Sequence, residues 1–191
     1  MSTESPQVGQ ISADGQFRWN GAEWAPLARG HREPTSWTLP LRRVAAGYLL
    51  VSALLSILTT ALFVTPATIE RSLRASNSNL TADQAHSAAA LGYVTSWAVV
   101  AIIAAVMLVL AVGSYLGWRW AFWVDLPLLA LTSVGVVTNL FALQSPATQS
   151  VPQGATILSF LLSVAALALL VWLIVAAVRY GPWAMRRPGV Q

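Results

Sequence analysis

The sequence predicts an all-α membrane protein: four transmembrane helices with both ends in the cytoplasm, a short cytoplasmic β-hairpin tail, and a small external helical loop. Three observations predict it. Of 191 residues, 56% are hydrophobic and 9% charged, whereas roughly a quarter of an ordinary water-soluble domain is charged. Four apolar stretches, at about 44–64, 92–116, 120–143 and 155–178, each reach the ~20 residues that a helix needs to cross a ~30 Å hydrocarbon layer. The arginines flank these stretches mainly on one side. The chain therefore divides into a tail (1–41), a transmembrane domain (42–179) and a C-terminal tail (180–191).

The tail carries the stretch "SADGQFRWNGAEW", residues 12–24. Asp14-Gly15 and Asn20-Gly21 are residue pairs that two-residue hairpin turns prefer, because both central positions need positive φ. With Asn20 and Gly21 as the loop, Trp19 is expected opposite Ala22, Arg18 opposite Glu23 and Phe17 opposite Trp24. A hairpin at about 10–27 would put Phe17, Trp19 and Trp24 on one face, and "GQIS" at 9–12 offers a third short strand. That aromatic face suits either a protein partner or the lipid headgroups. The pattern "DGQFRWNGAEW" resembles short Asp-Gly and Trp-Asn/Asp-Gly modules that precede transmembrane helices in uncharacterised four-span membrane proteins of high-GC Gram-positive bacteria. The resemblance covers this short stretch and implies a membrane-tethered module with no assigned activity.

The first apolar stretch follows more than forty polar or mixed residues and has no convincing small-residue cleavage site after it, so the tail is expected to stay attached rather than be removed as a signal peptide. Arg29, Arg32, Arg42 and Arg43 precede the first span, Arg119 separates the second from the third, and Arg179, Arg186 and Arg187 follow the fourth. The opposite side holds only Arg71 and Arg74, partly balanced by Glu70 and Asp83, and the uncharged loop "QSPATQSVPQ". The positive-inside rule then places both termini in the cytoplasm. Tyr115, Trp118, Trp120, Trp123, Tyr180 and Trp183 form the expected inner aromatic belt, and Tyr93 with Trp97 the outer one. All eleven basic residues are arginine, a codon-usage signature of a high-GC bacterium, whose cytoplasmic membrane is the expected location.

In the outer segment 65–91, Thr65 caps a helix, Pro66 suits its first turn, and Ile69–Leu73 and Glu70–Arg74 are spaced i, i+4. Thr81 and Gln84 form a capping box from which a second helix can run through His86 into the second span. Between the second and third spans, "GSYLGWRW" leaves almost no loop. Gly117 should therefore close one helix with positive φ, making the two spans antiparallel neighbours.

The third span holds Asp125, and Thr132 and Asn139 follow at seven-residue intervals, placing the three on one helical stripe. A carboxylate within a span faces protein or water. One reading makes the stripe a proton relay, cation path or polar substrate path. The other pairs Asp125 with Arg43, Arg119 or Arg179, while Thr132 and Asn139 join neighbouring helices. Ser52, Ser56 and Thr59 on the first span, and Ser159 with Ser163 on the fourth, allow close helix approach.

Catalytic machinery is not expected. The chain has no cysteine, and no Gly-rich phosphate loop, H-E-x-x-H or G-x-S-x-G occurs. His31 and His86 fall on opposite sides of the membrane in this topology, and the arginines do not gather on one nucleic-acid-binding face. The expected function is that of a non-enzymatic accessory, scaffolding or interaction protein without cofactor or metal. Its expected partners are the lipid bilayer, a cytosolic or membrane protein, and a second copy of itself, but no nucleic acid. The alternative is a small transporter or proton-coupled component using the Asp125–Thr132–Asn139 stripe.

Overall fold

Hydrocarbon offers no partner for backbone N–H and C=O groups, so a spanning segment must satisfy them within a helix or a closed barrel. The apolar stretches take the helical solution in the computed structural model, which describes residues 6–27, 32–77, 79–144 and 153–186. Among the described residues, four helical segments are long and apolar enough to cross a membrane: Thr38–Phe63, Ala82–Leu116, Arg119–Gln144 and Gln153–Tyr180. The chain is thus a mostly helical, multi-pass membrane protein with small β elements. Arg29, His31, Arg187 and most of the uncharged loop lie outside the described residues.

In order, the elements are β1 (Phe17–Trp19), β2 (Trp24–Pro26), β3 (Glu33–Pro34), α1 (Thr38–Phe63), α2 (Pro66–Ser76), α3 (Ala82–Leu116), α4 (Arg119–Ser133), α5 (Gly135–Gln144), α6 (Gln153–Tyr180), a 3₁₀ turn (Pro182–Ala184) and β4 (Met185–Arg186). They fall into two compact units, one joining Met1–Leu41 with Trp172–Gln191 and the other spanning Arg42–Val171.

The larger unit shows several of the local signals directly. Thr65 closes a capping box with Thr68 at the start of α2, and Thr81 closes one with Gln84 at the start of α3. Glu70 bonds Arg74 at 2.5 Å, and His86 Nδ1 lies 3.7 Å from its other oxygen. α2 docks on the first turns of α3, where Ala85 and Ala89 are buried and Ile69 packs against Gly92. Alanines make up much of the buried apolar set, including Ala45, Ala46, Ala53, Ala104, Ala111, Ala121 and Ala166. Small side chains let helix backbones approach where no hydrophobic effect drives them together.

Gly117 ends α3 with φ +76°, and its N–H bonds back to Gly113 and Ser114. A Cβ there would collide with the Arg42 guanidinium. The third span is interrupted rather than continuous: Thr132 and Ser133 hydroxyls bond the Leu128 and Leu129 carbonyls, and Val134 N–H tightens to the Leu131 carbonyl. Such back-bonding perturbs a helix locally, and α4 therefore gives way to α5 at Val134.

The hairpin differs from its expected register. Trp19 pairs with Trp24, Arg18 with Ala25 and Phe17 with Pro26. The Asn20 side chain decides this, because its Oδ1 accepts the N–H groups of Ala22 and Glu23, both at 2.8 Å. The loop is thereby centred on Gly21 and Ala22 instead of Asn20 and Gly21. Each residue's partner moves by two positions, which leaves side chains on their original faces. Phe17, Trp19 and Trp24 therefore still share one face, and the two indoles meet edge to face at 5.5 Å. "GQIS" pairs on the far edge: Gly9 N–H bonds Trp19 O, Trp19 N–H bonds Gln10 O, and Ile11 bridges Arg18. Asp14 closes the intervening turn, and its carboxyl is held below the usual carboxylate value by the Ser12 hydroxyl and the Gln16 N–H.

Replacing Gly117 by Ala should lower thermal stability in detergent by about 1 kcal/mol or more, from the left-handed backbone and the Arg42 collision. Gly47→Ala, in open space within α1, should be neutral or stabilising by up to ~1 kcal/mol. Equal melting temperatures for the two variants would contradict this account of the corner.

Candidate functional site

Two groups of polar side chains sit within the larger unit. Asp125, 1% exposed, meets Ser114, 0% exposed; the Ser114 hydroxyl donates to Asp125 Oδ2 at 2.6 Å. The corner explains the meeting. Antiparallel helices joined at Gly117 set the last turn of α3 against the first turns of α4, and the same geometry sets Gly113 against Ala121 and Trp118. Asp125 therefore bonds a hydroxyl rather than Arg43 or Arg119, and Arg179 belongs to the other unit. Arg119 lies six residues earlier on the same helix, around the wrong side of it.

Asp125 Oδ1 is buried without a hydrogen-bond partner. An aspartate at mid-membrane costs about 2.5–3.5 kcal/mol on insertion scales, while interhelical hydrogen bonds in membranes average about 0.6 and reach about 1.7 kcal/mol.

The second group lies farther along. Asn139 Nδ2 reaches Ser159 Oγ at 3.2 Å and Ser163 Oγ at 3.5 Å, and Gly135 lets the Ser163 hydroxyl approach the α5 backbone. The serines of the fourth span are thus hydrogen-bonding partners as well as small packing residues. Thr132, between the two groups, is spent on the Leu128 carbonyl of its own helix. Fourteen residues separate Asp125 from Asn139, about 21 Å of helix rise. The predicted stripe is therefore divided among three separate sets of partners.

The smaller unit carries the aromatic module. Phe17 and Trp24 are 36% and 38% exposed. On the opposite face, Arg18 Nη2 bonds Glu33 Oε1 at 2.7 Å, where Glu23 was the expected partner. Glu33 belongs to β3, which pairs with β4: Glu33 opposite Arg186, Pro34 opposite Met185. Ala184 O accepts from Thr35 Oγ1 at 2.8 Å and Thr38 Oγ1 at 2.9 Å, and Met185 O accepts from Arg32 at 3.1 Å. Trp183, expected in the interfacial belt, is instead 0% exposed within this unit. Gly181-Pro182 was the visible turn signal for this segment, whereas Arg32, Thr35 and Thr38 carried no motif. Among the described residues no cluster of three or more potential metal ligands occurs.

A double-mutant cycle of Ser114→Ala and Asp125→Leu, read by thermal unfolding in lipid nanodiscs, should give a coupling of about 0.6–1.7 kcal/mol. Strict additivity would mean that the bond contributes nothing.

No protein-family model, curated protein or solved structure matches the chain.

Proposed function

We propose that this protein is a non-enzymatic accessory or scaffolding component of a bacterial cytoplasmic membrane, which holds a small aromatic module at the membrane surface for a protein partner. One observation carries the reading: the tail hairpin keeps Phe17 and Trp24 partly exposed on one face, while its other face is tied by Arg18 to Glu33, five residues before α1. Five residues span at most about 18 Å, so the module stays near the membrane. A lone short hairpin is marginal in water; the tether and a partner supply what its own core lacks.

Orientation follows from charge. β3–β4 pairing brings the entry to α1 beside the exit from α6, and Arg32, Arg42, Arg43, Arg179 and Arg186 flank those two helix ends. The positive-inside rule assigns that side to the cytoplasm. The all-arginine composition supports the bacterial assignment, and the small-residue helix faces suit assembly with another membrane protein or a second copy.

The transporter alternative has less support. Thr132 is used within its own helix, and Asn139 is bound to α6, so the stripe offers no continuous polar row.

The test is quantitative mass spectrometry of proteins that co-purify with the tagged chain from its native membranes in mild detergent. A near-stoichiometric partner should be recovered with the wild type and with Asp125→Asn, and lost with Trp19→Ala/Trp24→Ala. Equal recovery with the tail variant would remove the basis for a recognition role.

A further inference from the structure

We propose that the two chain ends form a latch, and that the state of the latch is transmitted to the aromatic module through Glu33. This goes beyond the partner reading and does not depend on the partner's identity.

The C-terminal segment leaves α6 through an unusual turn. Gly181 has φ +95°, and Trp183 and Ala184 follow with φ +57° and +53°. Two consecutive non-glycine residues in the left-handed region are strained and persist only where surrounding structure holds them. The N-terminal segment supplies that hold. Thr35 and Thr38 both donate to Ala184 O, and Arg32 donates to Met185 O. Arg32 also packs over Gly181, Trp37 meets Tyr180 edge to face at 5.8 Å, and Trp183 and Ala184 are fully buried. A two-residue ladder between β3 and β4 is marginal alone. Strain on one side and a small set of donors on the other make this a two-state element, closed when the donors are in place.

Glu33 has two roles in it. Its backbone pairs with Arg186 in the latch, and its carboxylate holds Arg18 of the module. Opening the latch therefore frees the residue that docks the module, and docking the module favours the closed latch. The coupling is modest, because the Arg18 and Glu33 side chains are 43% and 27% exposed and ion pairs of that kind are weak.

The experiment is amide hydrogen exchange of the full chain in lipid nanodiscs, followed at Ala184 and Met185 for the latch and at Ser12, Trp19, Asn20 and Leu27 for the module. These module amides are bonded to Phe17, Gln10, Glu23 and Gln16 carbonyls. In Thr35→Val/Thr38→Val, exchange should rise at the latch and, roughly two- to fivefold, at the module, the range set by a partly exposed ion pair. Unchanged module exchange in that variant would overturn the coupling. In Glu33→Gln the module alone should exchange faster; no change there would overturn the assigned link. Pro34→Cys/Met185→Cys gives a reading independent of the threonine variant's folding. Closing that disulfide should slow module exchange relative to the reduced protein, and identical rates in the two forms would overturn the latch.

Discussion

Backbone polarity in hydrocarbon is the constraint on which the rest depends. Each unsatisfied N–H or C=O group costs several kcal/mol in a bilayer, so the apolar stretches become helices, and even the break at Val134 keeps its N–H bonded to the Leu131 carbonyl. Four helices long and apolar enough to cross a membrane lie between the first three strands and the last one. β3 and β4, separated in sequence by all four of these helices, pair with each other. The same constraint makes the connections matter: Gly117 turns α3 into α4 by left-handed backbone, and Thr65 and Thr81 close the starts of α2 and α3.

With no hydrophobic drive between helices in lipid, association is left to close packing and a few hydrogen bonds. The buried alanines serve the first, and the Ser114–Asp125 and Asn139–Ser159/Ser163 bonds the second. Both polar groups join neighbouring helices close to a chain reversal or helix break, which is the work expected of packing glue. Asp125 differs in keeping one buried oxygen unpartnered, which sets it apart from a residue that merely completes a pair. The terminal unit carries an exposed aromatic face and a strained latch that share Glu33.

The parts legible in the sequence are those governed by local rules. Span number, the Thr65 cap, the Thr81–Gln84 capping box, the Glu70–Arg74 pair and the left-handed Gly117 each follow from residues within a few positions of one another. The hairpin register was not legible, because the Asn20 side chain moved the turn by one residue while leaving the aromatic face intact. Asp125's partner was sought by opposite charge, whereas the corner geometry selects the residue facing it, the neutral Ser114. The latch was least legible of all. Its strand partners are more than 150 residues apart, and its left-handed backbone at Trp183 and Ala184 carries no glycine to announce it.

The central claim is that the chain crosses the membrane four times and brings both ends together on the cytoplasmic face. The absence of native cysteine makes the direct test simple: single cysteines at Glu23, Asp83 and Arg186, labelled with a membrane-impermeant maleimide. Glu23→Cys and Arg186→Cys should label in inverted vesicles and be protected in intact cells, with Asp83→Cys behaving in the opposite way. Labelling of Glu23→Cys and Arg186→Cys from different sides would contradict both the four-span fold and the latch, and labelling of both from outside would contradict the orientation.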